Sequence, residues 1–163
     1  MKIVPKRRRR EGKTNYRMRL EILKSEKPRI VIRKSNKYIF VQEVESKEAQ
    51  DFILNTVSSK DLINEGFPTK FSGSLKSLPA CYLTGLVMAK KMKNKEAVID
   101  IGLYKNKYGG RLYSVVKGLI DGGIKINADE KVFPSKKRLE GEHLKEEIKK
   151  EFNKLKEKLI KNE

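Results

Sequence analysis

The stretch Leu78-Pro79-Ala80-Cys81-Tyr82-Leu83-Thr84-Gly85-Leu86-Val87-Met88-Ala89 carries no charge and is apolar nearly all round at helical spacing. Such a helix has no face to offer water, so it must be covered on every side, and the natural cover is a sheet. Pro79 fits only in its first turn, where a missing N–H costs nothing. The chain has 163 residues, of which 37% are hydrophobic and 37% charged, so there is material for one core and it must gather around this segment.

The sheet is legible on both sides of that helix. Arg29-Ile30-Val31-Ile32-Arg33 reads as a strand, with Ile30 and Ile32 facing the core and Arg29, Val31 and Arg33 on the other face. Lys34-Ser35-Asn36-Lys37 supplies turn chemistry, and Tyr38 to Val44 returns as the second strand of a hairpin. Asp51 to Val57 is a third strand, antiparallel because its connection is short. Ala97 to Leu103 is a near-continuous apolar run, expected as an interior strand reached by a right-handed helical crossover. Arg111 to Asp121 is a helix with Leu112, Val115, Val116, Leu119 and Ile120 on one stripe, stopped by Gly122-Gly123. The result is an α/β fold with a small mixed sheet, an antiparallel hairpin or meander plus one parallel strand. Residues 58–77 are expected to be mostly loop.

Three regions follow: a basic arm over 1–13, an α/β core over 14–123, and an extension over 124–163 that is mostly helix. In the last, Leu144, Ile148, Phe152, Leu155 and Leu159 fall on one narrow seam, which must dock on something.

Charge points to a partner. The formal net charge is +18, and residues 1–37 hold fifteen Lys or Arg against three acids, a surplus of twelve at one end. The densest part is Lys6-Arg7-Arg8-Arg9-Arg10-Glu11-Gly12-Lys13, expected to stay extended and hydrated until an anion meets it. Guanidinium is planar, always charged and forks two donors toward phosphate, so an arginine run is suited to gripping a polyanion. Thr14 reads as the N-cap of a helix over Asn15 to Ser25, with Tyr16, Leu20 and Leu23 on one face, so the arm is rooted in the fold. No apolar run is long enough to span a membrane, and the basic segment lacks the apolar face of an interfacial helix. Residues 1–5 lack the apolar core of a signal peptide, which fits a cytoplasmic chain. Nucleic acid is the partner this leaves.

Candidates for catalysis are thin. The one histidine, His143, sits among glutamates on a charge-dense stretch, and the one cysteine, Cys81, lies inside the apolar helix, so neither a metal cluster nor a disulfide is expected. Asp51 and Asp100, both in expected strands, are the pair of more interest, since a nuclease on a mixed sheet gathers carboxylates at strand ends to hold two magnesium ions for RNA processing. Gly109-Gly110 before a helix, flanked by Lys105, Lys107 and Arg111, suits a backbone phosphate better than a bound nucleotide, since neither dinucleotide nor Walker spacing is present. Basic groups interleaved with Asn36 and Tyr38, without a zinc finger, basic zipper or RNP-type strand, favour shape-directed binding of folded RNA over groove reading of duplex DNA.

Six blocks carry a family resemblance: Arg7 to Tyr16, Arg33 to Ile39, Pro79 to Gly85, Asp100 to Leu103, Gly110 to Tyr113, and Phe133-Pro134-Ser135 with Gly141-Glu142-His143. In order and over almost the whole chain, they resemble the eighteenth large-subunit ribosomal protein in its archaeal and eukaryotic form. The resemblance implies a three-layer α/β fold with ribonuclease-H-like topology but no catalytic activity and no cofactor or metal. It implies a structural protein of the central protuberance that binds 5S rRNA and ties it to the large rRNA, beside other large-subunit proteins on cytoplasmic ribosomes. Carried over by position, Arg7, Arg8, Arg9, Arg10, Lys13, Tyr16 and Arg17 contact rRNA. Arg33, Lys34, Ser35, Asn36, Lys37 and Tyr38 meet 5S rRNA, with Lys105 and Arg111 supporting that face. Arg29, on the same strand face as Arg33, completes the expected set.

Overall fold

The computed structural model describes residues 4–48, 50–69, 73 and 75–161. Three strands, β1 (Arg29–Lys34), β2 (Ile39–Lys47) and β3 (Gln50–Ser58), form an antiparallel meander. A fourth, β4 (Val98–Asp100), runs parallel to β1, giving the order β3-β2-β1-β4. The Ser35 hydroxyl closes the first turn, accepting from the Tyr38 N–H at 2.9 Å and donating to the Tyr38 carbonyl at 2.9 Å. Alternation works as expected on β1: Ile30 and Ile32 are fully buried and share the core face with Ile39, Val41 and Val57.

Helix α3 (Leu78–Lys91) lies against that face, with every residue from Leu78 to Ala89 buried. Its cap is Ser77, whose hydroxyl accepts from the Ala80 N–H, and Pro79 stands in the first turn. Helix α4 (Arg111–Asp121) crosses α3 so closely that a Cβ at Gly85 would stand 2.3 Å from the Val115 carbonyl oxygen. The buried Ser114 hydroxyl donates to the Leu78 carbonyl at 2.7 Å, tying the two helices by a satisfied polar contact. On the opposite side of the sheet, α2 (Tyr16–Leu23) reaches the strands through Arg19 and Asp51 at 2.7 Å. Sheet and flanking helices thus make three layers.

The C-terminal seam finds its dock on α3. In α6 (Glu146–Lys161), Ile148, Phe152, Leu155 and Leu159 are buried in the same core as α3. Phe152 meets Tyr82 at 6.0 Å between ring centroids, and Lys158 donates to the Glu65 carbonyl at 3.1 Å.

Several local expectations need correction. The arginine run is not extended: Arg7–Arg10 form one helical turn, α1, whose C-terminal partial negative charge suits four cations. Asn15 rather than Thr14 caps α2, its Oδ1 accepting from the Met18 N–H at 3.2 Å, because Thr14 Oγ1 is engaged by Arg8 Nε at 2.8 Å. The run from Ala97 to Leu103 yields only three strand residues, at an edge of the sheet rather than inside it. Gly102, at φ +63°, ends it, with its N–H held by the Asp100 carboxylate at 2.7 Å. Within the expected loop of 58–77, Ser58 and Asp61 form a capping box that starts a 3₁₀ turn over Ser59–Ile63. Residues 70–72 and 74 of that stretch, and 1–3 of the arm, lie outside the described residues. Between α4 and α6 there is a further one-turn helix, α5 (Lys136–Leu139).

Candidate nucleic-acid interface

The arm is short and aimed. Arg7, Arg8, Arg9, Arg10 and Lys13 are exposed, and the bond from Arg8 to Thr14 fastens α1 to the start of α2. Glu11 is the local counter-charge, 2.8 Å from Lys13 and 3.7 Å from Arg7, while among the described residues Arg9 and Arg10 have no ion pair. Lys6 lies over the Tyr16 ring at 5.1 Å, and Arg17 extends into solvent beside Glu21.

Arg8 and Lys13 line a groove that runs across to Arg33, Gly102 and Tyr104. Arg33 is held in a fork: Nη1 donates to the Ile32 and Asp100 carbonyls at 2.9 Å each, and Nη2 reaches the Asp100 carboxylate at 3.2 Å. Tyr104 is held as well, its hydroxyl donating to the Lys34 carbonyl at 2.8 Å and accepting from the Lys34 N–H at 3.3 Å. Beyond Tyr104 a second groove is lined by Lys34, Lys105, Lys107, Tyr108, Arg111 and Arg138. Past Arg111 a third takes in Asn36, Lys37, Tyr38 and Lys76 at the hairpin tip, where Lys76 donates to the Asn36 carbonyl at 2.8 Å. Tyr104 belongs to the first and second grooves, and Arg111 to the second and third. The arm and the hairpin tip are therefore two ends of one basic strip.

Not every expected residue is on it. Arg29 is 5% exposed, and its Nη2 sits 2.6 Å from the Asp51 carboxylate, which Arg19 also holds at 2.7 Å. Helix α2 covers that end of the second sheet face, so Arg29 is a buried structural cation. Ser35 is consumed by its turn, and Tyr38 is half-buried against the core. Tyr104, Tyr108, Arg138 and Lys76 are on the strip although the sequence reading passed over them. The signal for the two tyrosines was present, since they bracket the cations Lys105 and Lys107.

Asp51 and Asp100 cannot share metal ions. They stand on the two outermost strands, about 14 Å apart at ordinary strand spacing, whereas two-metal sites hold their ions about 4 Å apart. Each is already paired with arginine. Burial opposes ionisation of Asp51, but the Ser46 hydroxyl and the Arg29 and Arg19 guanidinium groups outweigh it and hold the carboxyl below its ordinary value. Among the described residues there is no cluster of three His, Cys, Asp or Glu side chains that could hold a metal ion, and no helix is long and apolar enough to cross a membrane.

Comparison with known proteins supplies the lineage. The family of ribosomal large subunit proteins 60S L5 and 50S L18 matches residues 3–98, more than half of the chain. The large ribosomal subunit protein uL18 of Methanothrix thermoacetophila is 44% identical over 142 residues, covering 85% of this chain and 82% of its own. This chain belongs to the uL18 family. The uL18 proteins of Korarchaeum cryptofilum and Caldivirga maquilingensis are each 43% identical, again over 85% of this chain and over 70% and 67% of theirs. Likeness over 142 of 163 residues extends past residue 98, where the family match ends.

Proposed function

We propose that the chain binds 5S rRNA along the strip from α1 to the hairpin tip and anchors it to the large-subunit rRNA. The coarser part follows from membership of the uL18 family: this is a structural, non-enzymatic protein of the large ribosomal subunit, acting in the cytoplasm with rRNA and other ribosomal proteins. The finer part is supported chiefly by continuity. Two residues, Tyr104 and Arg111, each shared by adjacent grooves, join the arm to the hairpin with no unpaired acid among the described residues that line them.

The mechanism is counterion release at the arm combined with shape recognition at the hairpin tip. Arg7 to Arg10 and Lys13 displace counterions from any RNA backbone, while Asn36, Lys37 and the edge of Tyr38 meet a particular RNA surface. If about eight phosphates are neutralised, log affinity falls against log salt with a slope of roughly −6 to −7. A gel-shift salt series with 5S rRNA against transfer RNA tests both halves. Steep salt dependence with preference for 5S rRNA is expected. A flat response would remove the electrostatic basis, and equal affinity for the two RNAs would remove the assignment to 5S rRNA.

A further inference from the structure

The second groove is built for more than phosphate. Its cations are Lys34, Lys105, Lys107, Arg111 and Arg138, and among the described residues none of them has an ion pair. Like charges gathered in one concavity repel, so they call for an anion. Three tyrosines come to the same place. Tyr104 is locked at one side by its two bonds to the Lys34 backbone. Tyr108 is 69% exposed, and its ring is set edge-on against Tyr113 at 6.1 Å and 73°. The loop carrying Tyr108 is pinned: the Gly109 N–H donates to the Val132 carbonyl at 2.9 Å and the Gly110 N–H to the Lys107 carbonyl at 3.0 Å. A large, mostly exposed ring on a pinned loop, beside cations without ion pairs, is a stacking platform for an anionic, aromatic ligand. The groove measures about 480 Å³, within the range of sites for small organic groups.

We propose that this groove takes one nucleotide whose base is turned out of the RNA stack, with the base on Tyr108 and its phosphate between Lys107 and Arg111. The proposal rests on the RNA-binding reading and deepens it: the RNA bound along the strip has an unpaired, extruded nucleotide at this point. An aromatic face accepts any base, so the slot selects for an unstacked base rather than for its identity.

The test uses the full chain with Tyr108→Leu, Tyr108→Phe and Arg111→Gln, in filter binding against 5S rRNA, large-subunit rRNA and a fully paired RNA duplex. Tyr108 is exposed in a loop, so the leucine variant should melt like wild type. Tyr108→Leu is expected to lose affinity for at least one of the two folded rRNAs on the order of tenfold, with an unchanged salt slope and unchanged duplex binding. Tyr108→Phe retains full affinity. Arg111→Gln lowers the magnitude of the salt slope by about 0.7 to 0.9. Unchanged affinity of Tyr108→Leu for both rRNAs, or an equal loss on the duplex, overturns the slot while leaving arm-driven RNA binding intact. If Tyr108→Leu instead loses only the binding of a polyglutamate peptide, the groove receives an acidic protein segment and the proposal fails. If wild type shows no salt-sensitive affinity for any folded RNA, the proposal falls together with the reading beneath it.

Discussion

Gly85 and Gly118 face each other where α3 crosses α4: a Cβ at Gly85 would lie 3.1 Å from the Gly118 Cα, and one at Gly118 would lie 2.2 Å from the Tyr82 carbonyl oxygen. Both obstacles are backbone and cannot rotate away. Alanine gains about 1 kcal/mol over glycine in a helix interior, but forcing the helices apart costs about 3 kcal/mol or more. Gly85→Ala is therefore expected to destabilise the protein by roughly 2 kcal/mol, lowering Tm by roughly 4–8 °C. A thermal melt at or above the wild-type midpoint would contradict this crossing.

Asp51→Asn removes the charge that neutralises Arg29. The arginine side chain is 6% exposed, its Nε has no hydrogen-bond partner among the described residues, and Asp51 is the carboxylate it pairs with there. A loss of roughly 2–3 kcal/mol is expected in urea unfolding. RNA affinity per folded molecule should not change, because neither residue is on the strip.

The same carboxylate gives an acid limb to stability. Its folded pKa lies below the ordinary value of 3.8, so its contribution is present above that value and is lost as pH falls through the lower, folded one. Unfolding free energy measured between about pH 5 and pH 2 should decline more steeply in wild type than in Asp51→Asn. Parallel curves would show that the ion pair carries no pH-dependent stability.

Replacing Arg7, Arg8, Arg9 and Arg10 with alanine should weaken binding to every RNA alike and reduce the salt slope by about 3 to 4. Asn36→Ala and Tyr38→Phe should instead narrow the preference for 5S rRNA over transfer RNA at nearly constant slope. Equal loss of specificity from both sets would mean that arm and hairpin do not divide the work in this way.

Phe152→Ala opens a hole under α6, where the ring is 1% exposed and packs on Tyr82. A cost of about 3–5 kcal/mol follows, enough to lower Tm by roughly 10 °C. Calorimetry checks it.

What could be read in advance was local. The apolar segment 78–89, the alternation of Ile30 and Ile32, and most of the C-terminal seam, Ile148, Phe152, Leu155 and Leu159, are periodic within one element and buried as that periodicity requires, whereas Leu144 precedes α6 and is half-buried. Arg29 and Arg33 look alike by the same rule, since both point away from the isoleucines. Their different fates are settled by residues further along the chain, Asp51 for one and Asp100 for the other. The short edge strand had the same cause: hydrophobicity announces Ala97 to Leu103, but the left-handed Gly102 and its capping by Asp100 decide where pairing stops. The second groove was legible only in its middle part: Lys105, Lys107 and Arg111 are neighbours in sequence, whereas Lys34 and Arg138 come from two distant segments and join them only in the folded chain.

Helix α3 is made more than fifty residues before α6, the helix that completes its cover. At ordinary elongation rates, roughly three to ten seconds pass between the two. Throughout that interval a newborn chain already carries its cationic arm but shows a bare oily flank on α3, so it is stickiest toward other proteins before α6 has been made.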